Sequence, residues 1–159
     1  MAAVFQHQEN VLGVGKDWID RLTASARLEP LRRARLNLHH NDNDAVHEML
    51  IALCRDTLVP PHRHPGKSES FHVVEGEVLV VIFDDRGSVV RRLHLGPIGS
   101  GLDFIYRQAS PVWHTVIPLS EVVVVHETTK GPFLKLDCEL PHWAPHGGEG
   151  LRLFLDLLK

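Results

Sequence analysis

The stretch "HRHPGKSESFHVVEG", residues 62–76, decides how the rest of the chain is read. Its first two histidines are separated by one arginine, and residues two apart on a strand project from the same face. His62 and His64 therefore stand side by side. Pro65–Gly66 signals a turn, after which Glu69 opens a β-run that ends where Gly76 turns the chain again. Neutral imidazoles are good ligands for first-row transition metals, and a carboxylate returned beside them offsets part of the cation's charge. HxH alone is a weak signal. The ordered set of HxH, four residues, Glu, six residues and Gly is much rarer by accident.

The texture around this stretch is that of strands. "SFHVVEGEVLVVIFDD" reads as two β-runs broken at Glu75–Gly76 and followed by a turn at "DDRG". "SVVRRLHL", "LDFIYRQ", "VWHTVIP" and "EVVVVHET" come next, each bounded by Gly, Pro, Ser or Asp. Short strands with turns at this spacing predict an antiparallel sandwich or barrel. Before them, Trp18, Ile19, Leu22 and Ala26 recur near a 3.6-residue period and predict an amphipathic helix limited by Pro30. A second helical turn is expected at "DNDAVHEML", where Val46, Met49 and Leu50 share a helical face. "EGLRLFLDLLK" predicts a closing amphipathic helix. The expected organisation is one domain over residues 1–159: a helical arm (1–40), a barrel (41–140) and a tail with its helix (141–159).

Composition narrows the function. A formal net charge of −3 gives no electrostatic case for nucleic acid or an anionic membrane. No run approaches the roughly 18 apolar residues that span a bilayer, and "MAAVFQHQENVLGVGKD" lacks the features of a signal peptide, so a cytoplasmic location is expected. Cys54 and Cys138 lie far apart and read as two buried thiols.

The stretch resembles the first motif of the cupin superfamily, HxHx(3–4)Ex(6)G, and "SPVWHTVIP" resembles the second, with His114 in the ligand position. The resemblance implies a double-stranded β-helix, a jelly-roll-like barrel, holding one divalent transition metal (Zn, Fe, Ni or Mn) on His62, His64, Glu69 and His114. The chain departs from the pattern at Asp56, where the family has glycine, at Ala109–Ser110–Pro111 in place of a PxG turn, and at Pro118 in place of asparagine. A narrower resemblance, over roughly residues 31–146, is to the WbuC-type cupin fold metalloproteins. It rests on "RRARLNLHHNDNDAVHEML", "HRHPGKSE", "VVIFDDRGSVV", "VWHTVIPLS", "KGPF" and "WAP". In that family an Arg-x-Asn-x-His segment precedes the barrel, matched here by Arg35, Asn37 and His39. Their alternation puts all three on one strand face, suited to a polyhydroxylated or anionic ligand. The family is often associated with bacterial surface-polysaccharide genes, and barrels of this type commonly form homodimers.

Strand parity sorts the remaining candidates. His72 faces opposite to Glu69; Glu127 is a second carboxylate for the cavity and Tyr106 a proton donor there. His40, His47, His94, His142 and His146 carry no partner pattern and read as surface residues. Trp113 is expected to pack the barrel and Trp143 to pin the tail to it. Three functions stay open. The first is a metalloenzyme acting on a sugar or sugar-phosphate-like molecule by isomerisation or epimerisation, with Glu127 or Tyr106 moving the proton. The second is an iron-dependent dioxygenase, and the third a non-catalytic module that binds a small ligand.

Overall fold

The structure, a computed structural model, describes residues 3–132, 134 and 137–159. Phe133, the end of the "KGPF" match, lies outside the described residues. Among the described residues, nine strands and two helices follow one another as β1 (Ala3–Gln6), α1 (Lys16–Leu28), β2 (Arg33–Asn37), β3 (Val46–Cys54), β4 (Glu69–Glu75) and β5 (Val78–Phe83). After them come β6 (Val89–Leu95), β7 (Ile105–Gln108), β8 (Trp113–Pro118), β9 (Val122–Lys130) and α2 (Gly148–Asp156). They form a six-stranded sheet in the order β1-β2-β3-β9-β4-β7 and a three-stranded sheet in the order β6-β5-β8. This two-sheet, mainly β architecture is the cupin fold.

Alternation along the strands builds the layers. Phe71, Val73, Val123 and Val125 of the larger sheet meet Val80 and Val116 of the smaller one in the barrel interior. On the outer side of the larger sheet, Ala34, Leu36 and Ala52 receive Ile19, Leu22 and Ala26 of α1, the apolar stripe expected from the sequence. Outside the smaller sheet, Leu151 and Leu155 of α2 pack on Val81 and Phe83. Trp143 joins this layer, edge-on to Trp113 at 6.2 Å. Each fully buried Val, Leu, Ile or Phe among them contributes about 1.5–3 kcal/mol.

Two expectations about elements need correction. "DNDAVHEML" does not start a helix: Val46–Cys54 is a strand paired with both β2 and β9. Val46, Met49 and Leu50 fit a helical face, but a strand covered on both sides also lacks strict alternation. The stretch before residue 40 holds two strands beside its helix, β1 running parallel to β2 at one edge of the larger sheet. Gly76 turns β4 into β5 with φ +75°, and a Cβ there would run into the Val122 carbonyl, so the first motif's final position admits only glycine. Among the described residues, no helix is long and apolar enough to cross a membrane.

Candidate metal centre

His62 and His64 sit on an extended segment outside the named strands, and His114 on β8. The two are joined by a pair of backbone hydrogen bonds: the His62 amide donates to the His114 carbonyl, and the His114 amide to that of His62, both at 2.9 Å. This pairing brings together the rings of His62 and His114, whose centroids are 4.3 Å apart, with His64 5.0 Å from His62. One nitrogen from each of the three rings falls within 4.8 Å of the others, the one such cluster among the described residues. Glu69, the first residue of β4, points its carboxylate into the same space, Oε2 3.5 Å from His64 Nε2 and Oε1 3.5 Å from His114 Nε2.

Each ring is held in a chosen tautomer. Nδ1 of His62, His64 and His114 faces the carbonyls of Pro60, Asp137 and Val112 at 2.9, 2.9 and 3.0 Å. A carbonyl only accepts, so every Nδ1 carries the proton and every Nε2 presents a lone pair. His114 Nε2 and Glu69 Oε1 are buried without a hydrogen-bond partner. Three lone pairs and a buried carboxylate aimed at one point fit a divalent transition metal, which satisfies all of them at once. Burial, followed by the neighbouring His114, pushes the His62 imidazole down to about 3, so this ring stays neutral and able to ligate. Burial alone would raise the Glu69 carboxyl, but hydrogen bonding from His114 and the charges of His114, His64 and His62, all in their protonated forms, outweigh it and lower it from its ordinary value.

The departures from the cupin pattern have local compensations. Asp56 accepts from Arg32 Nε at 3.0 Å. The lost turn before His114 is replaced by the pairing with His62 and by Thr115, whose hydroxyl donates to the Val59 carbonyl at 2.6 Å. His114 is thereby fixed at 0% exposure.

The rest of the inner face is organised in cross-strand rows. Register places Asn37, Met49, Glu127, Phe71 and Tyr106 in one row across five strands. The next row on that face runs His47, Thr129, Glu69 and Gln108. Polar groups thus gather in this row, while the row on the other side of Glu127 is Ile51, Val125 and Val73. Glu127 shares the face of Glu69, and burial first, then the Glu69 charge, lifts its carboxyl well above the ordinary value against the pull of Arg35. Tyr106 is buried and donates to Gln108 Oε1 at 2.9 Å; burial pushes its hydroxyl far up. Arg35 and Asn37 lie on the same face, Arg35 exposed. They stand three strand spacings, about 14 Å, from Glu69 across the sheet. The Asn37 amide donates to Gln6 Oε1 at 2.9 Å. His39 is buried, its Nδ1 3.0 Å from the Glu48 carbonyl.

Three further placements stand against the sequence reading. His47 is no surface residue: it is 4% exposed, stacked on His39 with centroids 4.0 Å apart, and its Nε2 has no partner. Its burial follows from the β3–β9 pairing, which sets it opposite Thr129. Gln108, which ends the row of Glu69, went unrecognised because a lone glutamine near a strand end carries no motif. Of the cysteines, Cys54 is buried but Cys138 is exposed, lying beyond the barrel strands where no sheet covers it. His40, His94, His142 and His146 are exposed, as expected, and His72 turns away from the interior against Phe104.

Comparison with known proteins bears on the fold and the family. A family model described as "Domain of unknown function (DUF6016)" matches residues 14–95. No curated protein matches the sequence. Among solved structures, a protein from Shewanella oneidensis superimposes with TM-score 0.55 at 10% identity, covering 67% of this chain and 72% of that one. Procruciferin, an 11S globulin from Brassica napus, gives 0.53 at 14% identity, over 70% of this chain but 27% of its own length. An oxalate oxidase in complex with the substrate analogue glycolate gives 0.51 at 14% identity, over 66% of this chain and 54% of its own. At these identities the likeness is one of fold.

Proposed function

We propose that this chain, which belongs to the DUF6016 family, is a metal-dependent enzyme acting on a small polyhydroxylated or anionic molecule, of the sugar or sugar-phosphate kind, by isomerisation or epimerisation. The observation that carries the reading is the convergence of three Nε2 lone pairs and the buried Glu69 carboxylate in a polar row of the barrel's inner face. When bound there, a divalent transition metal supplies Lewis acidity toward a substrate oxygen. The chain's own residues then divide the remaining work. Arg35, exposed on the inner face, attracts the anionic end of a substrate. Glu127, whose carboxyl is lifted well above its ordinary value, gives a proton to the substrate carbonyl oxygen and, as the carboxylate so formed, takes one from the neighbouring carbon. Returning a proton to carbon and taking one from a hydroxyl of the resulting enediol completes the isomerisation. Tyr106 is committed to Gln108, so Glu127 is the better placed of the two acid–base candidates. The apolar row beside Glu127 excludes bulk water from that exchange. Arg35 and Asn37 on β2, with His39 in the bend just beyond the strand, support the finer kinship with WbuC-type proteins within the same proposal.

Elemental analysis of untagged protein, repeated on His64→Ala and His114→Ala, tests the centre. About one transition-metal ion per chain is expected, lost in both variants. A panel of sugar phosphates and nucleotide sugars followed by NMR tests the substrate class: conversion by the parent and none by Glu127→Gln is expected. No binding and no turnover across the panel, by metal-loaded protein, overturns the assignment of substrate.

A further inference from the structure

Arg63 lies between His62 and His64, and on an extended segment its side chain leaves by the opposite face. The antiparallel bridge that pairs His62 with His114 sets Arg63 against Trp113, one residue further on each strand. The guanidinium carbon sits 4.3 Å from the centre of a Trp113 ring. Arg63 Nε donates to Glu139 Oε2 at 2.6 Å, and Nη1 lies 3.5 Å from Asp85 Oδ1. Trp113 Nε1 donates to the same Asp85 oxygen at 3.0 Å. Two backbone hydrogen bonds, 3.0 and 3.1 Å, further tie Arg63 to Glu139, two residues beyond the Asp137 carbonyl that receives His64 Nδ1–H.

These contacts form one closed device. Two isolated bridges, His62 to His114 and Arg63 to Glu139, are slight support for a segment carrying two candidate ligands, and the turn that usually precedes His114 is missing. On the reverse side of the His62–His114 bridge, four side chains from four separate segments lock together. We infer that Arg63 is a positioning residue: stacked on Trp113 and forked between Glu139 and Asp85, it clamps the HxH segment to β8 and to the 137–139 segment, holding the His62, His64 and His114 rings in register. The inference rests on the metal-centre reading for its use, but the ring geometry it explains exists without metal. It touches neither substrate nor metal. A planar, stacking fork does this, and a lysine reproduces only its charge.

The sign of the effect separates positioning from electrostatics. Arg63 carries positive charge near a cation site, so deleting it would by Coulomb's law alone tighten metal binding. Positioning gives the reverse: Arg63→Ala is expected to bind Co(II) about 10- to 100-fold more weakly, the range for residues that orient ligands, with Arg63→Lys recovering only part. The Co(II) visible spectrum should change shape as well as intensity. In metal-free protein, imidazole ¹⁵N spectra should show single Nδ1–H tautomers for His62 and His114 in the parent and mixtures in Arg63→Ala. A control, Leu22→Ala beneath α1, loses stability and should leave both the cobalt affinity and the tautomers alone. Unchanged tautomers in Arg63→Ala, cobalt affinity equal to or above the parent's, or an equal loss in Leu22→Ala, each overturns the inference. A parent chain that takes up no cobalt while its tautomers still respond to Arg63→Ala overturns the metal-centre reading and supports the clamp.

Discussion

Replacing Glu69 by glutamine is expected to move the metal-free and metal-loaded protein in opposite directions. Without metal, each ring's Nδ1–H is donated to a backbone carbonyl, so each Nε2 presents a lone pair. The Glu69 oxygens then face the lone pairs of His64 and His114 Nε2 at 3.5 Å, and neither side has a proton to give. Glu69 is 3% exposed and its Oε1 is unpartnered, so water does not relieve the conflict. A carboxamide of the same shape adds an N–H that an imidazole accepts. Relief of one buried unsatisfied group amounts to about 1–3 kcal/mol, which raises the metal-free Tm by about 2–10 °C for a chain of this size. With metal the sign reverses. At a free concentration of about 100 times the dissociation constant, binding adds about 2.7 kcal/mol to the parent. If losing the carboxylate weakens affinity about 100-fold, the same concentration adds about 0.4 kcal/mol to Glu69→Gln. Urea unfolding at pH 8, followed by tryptophan fluorescence with EDTA and then with Zn(II), reads both quantities. A glutamine variant less stable than the parent in EDTA, or stabilised as strongly by zinc, refutes the reasoning.

Acidification and two glycines supply further tests. His62 has a folded value depressed to about 3 against about 6.5 when unfolded, so the unfolded chain takes up the proton that the folded site refuses. Stability of the metal-free protein therefore rises with pH across that window. Going from pH 7.5 to 5 should remove up to about 2 kcal/mol, reduced by whatever solvent reaches the partly covered ring. Urea curves over a pH series should show this slope in the parent and a shallower one in His62→Gln, and a parent profile without the slope contradicts it. Gly66 and Gly76 both have φ +75°, but a Cβ meets nothing at Gly66 and the Val122 carbonyl at Gly76. Gly66→Ala should cost about 1–2 kcal/mol and Gly76→Ala about 3–5 kcal/mol, measured as shifts in urea midpoint; equal costs would show that the turn relaxes freely.

Much of the fold was legible because its signals are local. The 3.6-residue period of Trp18, Ile19 and Leu22 and the run Leu151–Phe154 are properties of single segments, and α1 and α2 form over them. The strand at Val46–Cys54 was not legible for the opposite reason. It lies between β2 and β9, under α1 on one side and over the barrel interior on the other. Only its neighbours in space explain why Leu50, Ile51, Ala52 and Leu53 are apolar in succession. His47 was misplaced along with the strand that carries it, since its burial follows from the register opposite Thr129.

The candidate site divides along the same line. The spacing of His62, His64 and Glu69 is contained in eight residues, and the structure brings all three together with His114 across fifty positions of chain. What the spacing could not convey is how His114 keeps its place without the usual turn. Pro111 fixes its own backbone angle and removes a donor, and the loop ahead of β8 supplies the Val112 carbonyl that receives His114 Nδ1–H. The rest of the aim comes from partners remote in sequence: the His62 backbone, the Val59 carbonyl and the Arg63–Trp113 stack. A degenerate motif is thus no sign of a lost ligand where the neighbouring strand supplies the constraint. In this chain the residues beside the candidate ligands, Arg63 and Trp113, carry the information that the missing PxG turn would have carried.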